Sequence, residues 1–77
     1  MTTHIVGYML VVTEVGKEHE VVREILKIAG VSEVQIVYGD FDILCKVDCE
    51  DWRSLDSAIT QIRKIKSVMR TMTLIAG

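Results

Sequence analysis

The stretch VSEVQIVYGDFDILCKVD, residues 31–48, decides the fold, because two runs of β-forming residues flank a glycine and an aspartate. The pair Gly39-Asp40 suits a two-residue hairpin turn with glycine in the first position. In that register one face of the hairpin is apolar and the other carries opposite charges; the facing pairs are Tyr38–Phe41, Ile36–Ile43, Val34–Cys45 and Glu33–Lys46. The sequence therefore predicts antiparallel strands over 31–38 and 41–48.

Upstream of this hairpin the sequence predicts a central strand and an amphipathic helix. Residues 5–13, IVGYMLVVT, are apolar on both parities, which is typical of a strand that is covered on both faces. Residues 17–29 place apolar side chains on one stripe and charged side chains on the other, which predicts a helix. Gly30 follows where a left-handed residue is expected to end that helix.

Downstream of the hairpin the pattern predicts a second helix and a last strand. We expect Asp48 to be the N-cap of this helix, with Asp51 adding negative charge to its first turn. The apolar stripe that would pack on the sheet consists of Trp52, Leu55, Ile59 and Ile62. Residues 68–75, VMRTMTLI, have the composition of a final strand.

The order of these elements is β-α-β-β-α-β, without repeats or linkers, so residues 1–77 are expected to form one domain. Right-handed crossovers place both helices on one face of a four-stranded antiparallel sheet, with the first and third strands in the middle. The predicted fold class is α+β, ferredoxin-like, of the dimeric α/β barrel type.

The other face of this sheet stays uncovered by helices. The first strand contributes one of its two rows to it, either Val6, Tyr8, Leu10 and Val12 or Ile5, Met9 and Val11. Both rows are apolar, and a face of this kind is unfavourable in water. We therefore expect two copies to pack face to face as a homodimer.

Composition and charge exclude several classes of protein. The formal net charge of -2 argues against direct nucleic-acid binding, which needs a basic surface. No apolar run reaches the roughly 20 residues that cross a bilayer, and the start of the sequence does not resemble a signal peptide. We expect a soluble, cytoplasmic protein with no membrane association. Cys45, Cys49, His4 and His19 lack the spacing of metal ligands, so no metal or cofactor is expected.

Four segments, in this order and at these distances along the chain, resemble those of a known family: Gly7-Tyr8-Met9-Leu10-Val11, Ala29-Gly30-Val31, Tyr38-Gly39-Asp40-Phe41-Asp42 and Val68-Met69-Arg70-Thr71-Met72-Thr73. The chain resembles the effector-binding domain of the Lrp/AsnC regulators, called the RAM domain. The family pattern after the second strand is a glycine, one further residue, an aromatic and an aspartate. The chain has no residues for the helix-turn-helix of those regulators, so it is similar to a stand-alone RAM domain.

The resemblance implies a free amino acid as effector, bound near the hairpin turn at a junction between dimers in a ring-like oligomer. The candidate ligand-binding residues are Tyr38, Gly39, Asp40, Phe41, Asp42, Thr71 and Thr73. An ammonium group seeks a carboxylate, which Asp42 or Asp40 offers, and a carboxylate seeks N–H groups such as a glycine turn presents. Asp42 is expected beyond the turn, on the face opposite Phe41.

Several alternatives to an amino-acid sensor remain open. The segment 39–42 is explained by turn geometry alone if it binds nothing. The chain is alternatively a structural adaptor that joins full-length Lrp-like regulators without binding a ligand. A small dimeric α+β barrel enzyme is the weakest alternative, since no nucleophile has a base at a suitable spacing. The residues expected to face the helices are apolar: Val34, Ile36, Phe41, Ile43 and Val47. No catalytic residue is therefore assigned.

Overall fold

The structure, a computed structural model, describes residues 4–77 of the chain. Its elements follow the predicted order: β1 Ile5–Thr13, α1 Glu18–Leu26, β2 Val31–Ile36, β3 Ile43–Cys49, α2 Trp52–Arg63 and β4 Val68–Ile75. The four strands form one antiparallel sheet in the order β2-β3-β1-β4. The predicted ferredoxin-like fold is confirmed, with the first and third strands in the middle.

The hairpin register that the sequence predicts is also confirmed between β2 and β3. Glu33 pairs with Lys46, and the apolar pairs follow as Val34–Cys45 and Ile36–Ile43. A bulge between Val31 and Glu33 shifts the pairing at the start of β2. Such a bulge shortens the regular part of an edge strand.

The hydrophobic core lies between the sheet and the two helices. Its buried side chains are Met9 and Val11 of β1; Ile43, Cys45, Val47 and Cys49 of β3; Val21 and Ile25 of α1; Leu55, Ala58 and Ile62 of α2. Because Met9 and Val11 face the helices, the even-numbered row of β1 lies on the opposite face. We call this face, which no helix covers, the open sheet face. That row consists of Val6, Tyr8, Leu10 and Val12. Tertiary packing thus decides a choice that the sequence left open.

The start of α2 differs from the prediction. Asp51, rather than Asp48, is the N-cap, because its Oδ1 accepts a hydrogen bond from the Ser54 N–H at 2.7 Å. This bond lowers the pKa of the Asp51 carboxyl. Asp48 instead belongs to β3, and its Oδ1 lies 2.7 Å from Nδ1 of His4. Trp52 was expected to pack on the sheet, but it is 62% exposed, since the first turn of α2 extends beyond the core.

The first helix is shorter than the predicted range 17–29. It ends at Leu26, which is 61% exposed, because the backbone turns away over residues 27–30 toward β2. The predicted left-handed conformation of Gly30 is confirmed by its φ of +97°. A Cβ atom added to Gly30 would lie 2.6 Å from Sγ of Cys49, so the site also requires the absence of a side chain.

The two halves of the chain repeat the same junction between helix and strand, although the sequence was expected to lack repeats. In the first half Ile28 N donates to Ile25 O at 3.0 Å, and Val31 N to Ile28 O at 3.3 Å. The second half forms both bonds again between Ile65 N and Ile62 O, and between Val68 N and Ile65 O, each at 3.2 Å. The matching segments KIAGV, 27–31, and KIKSV, 64–68, are the sequence signal of this repeat.

Ser67 occupies the position of Gly30 in the second junction and has a φ of +79°. A left-handed conformation costs a residue with a Cβ about 1–2 kcal/mol, whereas glycine loses about 0.5–1 kcal/mol in chain entropy. We therefore expect Ser67→Gly to raise the free energy of unfolding by roughly 0.5–1 kcal/mol. Urea denaturation measures this change. Ser67→Ala retains the strain and is the matched control; a stability gain in that variant, or a loss in Ser67→Gly, contradicts the explanation.

Candidate functional site

The connection between β2 and β3 is wider than the predicted two-residue turn. Its last backbone hydrogen bond joins Val37 N to Asp42 O at 2.9 Å, and residues 38–41 form a four-residue loop beyond it. Asp42 is drawn toward the end of β1, so the regular pairing of β3 begins only at Ile43. We call residues 38–41 the β2–β3 loop.

Asp42 anchors the base of the β2–β3 loop to β1. Its backbone N–H donates to the carbonyl oxygen of Val11 at 2.9 Å, and its Oδ2 accepts from the N–H of Thr13 at 2.8 Å. Asp42 also lines a cleft of about 420 Å³ together with Glu18 and His19 of α1. The expected position on the open sheet face is therefore wrong, because the bond to Thr13 breaks the alternation of side chains. One carboxylate oxygen of Asp42, Oδ1, has no partner among residues 4–77.

Phe41 contacts a residue that sequence reasoning did not select. Its ring centre lies 5.5 Å from Cζ of Arg70, a distance at which a guanidinium and an aromatic face attract each other. Arg70 pairs with Val12, which belongs to the open-face row. The expectation that Phe41 packs beneath the helices is not met, nor is its pairing with Tyr38, which is 97% exposed. Arg70 is the one charge in 68–75, a signal that identifies it in the sequence.

Thr71 and Thr73 lie on the helix side of β4. They pair with Val11 and Met9, whose side chains face the helices. Since neighbouring strands are about 4.8 Å apart, Thr71 is roughly 10 Å across the sheet from the start of β3. Thr73 is about 7 Å further along the strand. Within one copy, the structure therefore gathers Phe41, Asp42 and Arg70 at one end of the sheet, with Thr71 beside them and Thr73 away from them.

The β2–β3 loop presents its backbone to solvent. Tyr38, Gly39 and Asp40 are exposed, and a Cβ added to Gly39 would meet nothing within 4 Å. The N–H groups of residues 39–41 donate to no acceptor within the described range 4–77. Free N–H groups near a guanidinium can accommodate a carboxylate.

The cysteines are poorly placed for nucleophilic chemistry. Burial raises the pKa of the Cys45 thiol to about 11, against its ordinary value of 9.0. Burial also raises the pKa of Cys49, and the negative charges of Asp48 and Asp51 add to that effect. Both thiols therefore stay protonated near neutral pH, and a protonated thiol is a weak nucleophile and metal ligand. In the part of the chain that the structure describes, no three His, Cys, Asp or Glu side chains gather as a metal site.

The open sheet face is lined by apolar side chains. Its central strands contribute Val6, Tyr8, Leu10, Val12 and Leu44, and β4 contributes Met72 and Leu74. Tyr8, Met72 and Leu74 are 37%, 49% and 52% exposed, respectively.

None of the helices within residues 4–77 is long and apolar enough to span a membrane.

Several known proteins share this architecture. A hypothetical protein of Pyrococcus horikoshii is 38% identical, and the match covers 94% of this chain and 88% of that one with a TM-score of 0.86. AsnC of Escherichia coli has a TM-score of 0.83 at 20% identity over 94% of this chain and 50% of AsnC, which shows a common fold.

Relatives found by sequence include much longer proteins that are named homocitrate synthase. Homocitrate synthase of Sulfolobus acidocaldarius is 45% identical over 53 residues, which are 69% of this chain and 11% of that protein. The chain thus spans about a tenth of the length of such relatives. The Lrp/AsnC ligand binding domain, as a family, matches residues 7–76. Because this match covers the sheet, both helices and the β2–β3 loop, the chain belongs to the Lrp/AsnC ligand-binding domain family.

Proposed function

We propose that the protein is a sensing and oligomerisation module whose effector is a free amino acid. The β2–β3 loop is the observation that supports this proposal most directly. The loop is anchored at its base by two hydrogen bonds of Asp42, yet its N–H groups remain free at an exposed end of the sheet. A loop that is already held in place loses little conformational freedom when it binds a ligand.

The arrangement suits the two charges of an amino acid. The α-carboxylate is placed at the free N–H groups around Gly39, with the guanidinium of Arg70 nearby to supply positive charge. The α-ammonium is placed at Oδ1 of Asp42, because Oδ2 already accepts from Thr13. Thr71 lies beside this end of the sheet. The remaining candidates, Tyr38, Asp40 and Thr73, are exposed and available at a junction between dimers.

A thermal-shift screen of the twenty amino acids, followed by native mass spectrometry, tests the proposed ligand class. A ligand present at a hundred times its dissociation constant stabilises the folded state by about 2.7 kcal/mol, which raises the Tm of so small a domain by roughly 10–20 °C. We expect one amino acid, or a group of similar ones, to produce this shift. If none of the twenty does so, the proposal of an amino-acid effector is wrong.

Asp42→Asn separates two roles of Asp42: its hydrogen bond with Thr13 and its proposed contact with the ligand ammonium group. The asparagine side-chain oxygen still accepts from Thr13, so the free energy of unfolding should change little, whereas the negative charge is lost. We expect amino-acid binding to weaken by roughly 1.5–3 kcal/mol, which is about ten- to a hundredfold in the dissociation constant. Calorimetric titration of both proteins with the amino acid that the screen selects gives this comparison.

Asp40→Asn is the matched control, because it removes a carboxylate from the same loop and Asp40 forms no hydrogen bond within residues 4–77. Its affinity should stay within about twofold of the wild type, which corresponds to less than about 0.5 kcal/mol. Equal affinities of wild type and Asp42→Asn would remove the ammonium role from Asp42. A loss confined to Asp40→Asn would transfer that role to Asp40.

The open sheet face supports a homodimer. Packing two such faces together removes the exposed parts of Tyr8, Met72 and Leu74 from water, which is favourable by about 25 cal/mol per Å² of apolar area. A two-fold axis lets the same patch serve both copies. Further contacts at the β2–β3 loop would join such dimers into a ring, and the ligand would then lie between subunits.

The matches to longer proteins support a second candidate function, that of an adaptor. AsnC corresponds to this chain over half its length, and the homocitrate synthases over about a tenth. The related segment thus occurs as part of longer chains, and we infer that this domain joins their oligomers through the same surfaces. An adaptor without a ligand predicts mixed oligomers with a full-length Lrp-like regulator in native mass spectrometry, together with a negative amino-acid screen.

We propose no enzymatic activity and no direct binding to DNA. The layer between sheet and helices is lined by apolar side chains and two protonated thiols. Among residues 4–77, Thr13 is the single polar residue that is buried. Such a layer offers no group for proton transfer. A gel-shift assay that showed salt-sensitive binding of duplex DNA by the isolated protein would contradict the second part of this proposal.

A further inference from the structure

Positive charge is concentrated where α2 ends and β4 begins. Four of the nine Lys and Arg residues lie in the segment RKIKSVMR, residues 63–70, which contains no Asp or Glu. None of these four side chains forms an ion pair within residues 4–77. The partial negative charge of a helix C-terminus accounts for one cation at the end of α2. Four cations without an acidic partner exceed that need, and an anion relieves their mutual repulsion.

Two of these cations line one cleft. It has a volume of about 320 Å³ and lies between the end of α2 and the start of β4; its lining residues are Arg63, Val68, Met69, Arg70 and Thr71. We call it the α2–β4 cleft. None of its lining residues is acidic, and Lys64, which borders an adjoining cleft together with Arg63, adds to the positive potential. The α2–β4 cleft therefore attracts anions.

A bulge in β4 brings neighbouring residues to this cleft. The pairing of β4 with β1 shifts between Val12 and Thr13, where Met69 is the extra residue. In a regular strand Arg70 and Thr71 would point to opposite faces of the sheet. A bulge bends the strand and re-aims the side chains beside it, which explains how both residues line one cleft. A guanidinium and a hydroxyl thus lie within reach of the same ligand.

Contacts within the chain hold the walls of the α2–β4 cleft in place. The carbonyl oxygen of Ser67 accepts a hydrogen bond from Glu14 N at 2.9 Å, which fixes the turn before β4. Arg70 lies over Phe41, with 5.5 Å between its Cζ and the ring centre. A guanidinium that stacks on an aromatic ring keeps the N–H groups at its edge free to donate to an oxyanion. Binding to such a site requires little ordering of the protein.

We propose that the α2–β4 cleft binds a phosphate group, either free or carried by a small molecule. Arg63 and Arg70 donate N–H groups to its oxygens, and Thr71 supplies a hydroxyl. A phosphate monoester carries about −1.5 to −2 charges at pH 7 and three strong acceptor oxygens, which two guanidinium groups match in charge and in number of donors. A carboxylate has a single charge and is satisfied by one guanidinium, so two arginines in one cleft favour the phosphate.

This site is separate from the proposed amino-acid site, although Arg70 lies near both. Arg63 has no part in the amino-acid proposal, so its replacement tests the α2–β4 cleft alone. Either proposal can fail without affecting the other, because phosphate is titrated in the absence of amino acids.

NMR titration of the unmodified protein with inorganic phosphate, at constant ionic strength, tests the site directly. We expect saturable shifts at millimolar phosphate in the amides of residues 63 and 68–71. Acetate is the matched probe for a carboxylate and should bind at least about tenfold more weakly. The absence of saturation with phosphate, or an equal affinity for acetate, overturns the proposal.

Arg63→Gln should weaken phosphate binding about tenfold, because it removes one charged hydrogen-bond donor from the cleft. The fold should persist, since Arg63 is exposed. Arg53→Gln is the matched control: it removes the same charge from an exposed position at the other end of α2, and its affinity should stay within about twofold of the wild type. An unchanged affinity in Arg63→Gln, or an equal loss in both variants, contradicts the site.

Glycerol phosphate distinguishes the two sources of the phosphate group. An affinity at least equal to that for inorganic phosphate identifies an ester as the ligand, with Val68 and Met69 of the cleft next to its organic part. A weaker affinity than that for inorganic phosphate identifies the free ion.

Discussion

Leu10→Glu will halve the mass of the assembly by separating the sheets that pack face to face. Leu10 occupies the middle of the open face, where it pairs with Leu44 on one side and Met72 on the other. In a single copy the glutamate reaches water, so the fold should persist. Between two sheets its charge would be buried without a partner, at a cost of several kcal/mol. We expect the dissociation constant of this interface to rise at least about a hundredfold.

Light scattering across a concentration series measures this effect, and circular dichroism confirms that the variant is folded. Leu10→Met conserves the volume and the apolar character of the side chain, and should retain the wild-type mass. Separation of one face-to-face dimer should yield the monomer of 8.7 kDa. A folded Leu10→Glu protein with unchanged mass and affinity would show that the open face is not an interface.

Gly30→Ala will reduce the free energy of unfolding by about 2–4 kcal/mol, the sum of a backbone term and a steric term. The φ of Gly30 is +97°, which is unfavourable for a residue with a Cβ. The new Cβ would also lie 2.6 Å from the buried Sγ of Cys49, so one of the two segments must shift. The Gly30 carbonyl accepts a hydrogen bond from Asp48 N at 2.8 Å, which restricts that shift.

Gly16→Ala is the matched control for the backbone term, because Gly16 has a φ of +82° and an added Cβ would meet nothing within 4 Å. It should cost about 1–2 kcal/mol. A double-mutant cycle with Cys49→Ala isolates the steric term, since the shorter side chain leaves room for the new Cβ. Urea denaturation measures the four proteins of the cycle and the Gly16→Ala control. If Gly30→Ala costs no more than Gly16→Ala, the contact with Cys49 is not restrictive.

Local patterns in the sequence were sufficient for the architecture. The period of apolar residues distinguished helices from strands, and the pairs Glu33–Lys46 and Ile36–Ile43 fixed the register of the hairpin. A shift of one residue would move every apolar side chain of a strand to the other face, so a register with one consistent face is strongly specified. The left-handed residue at Gly30 was predictable for a similar reason, because glycine favours that conformation.

The candidate site was predicted only in part. The sequence identified the segment 38–42, but it did not reveal that Asp42 bonds to Thr13 or that Arg70 lies over Phe41. These contacts join residues about 30 positions apart, and the side-chain directions depend on how far each strand continues. The expected N-cap at Asp48 was wrong for the same reason: β3 continues to Cys49, which moves the start of α2 to Asp51.

The sequence by itself determined the order of the elements, the register of the hairpin and the apolar character of both rows of β1, because these follow from period and local chemistry. Only the tertiary structure decided which row of β1 faces the helices, since Met9 and Val11 pack on α1 and α2 while Leu10 does not. Burial depends on contacts with elements that are distant in the sequence, whereas both rows of β1 are apolar and suit either face of the sheet equally well.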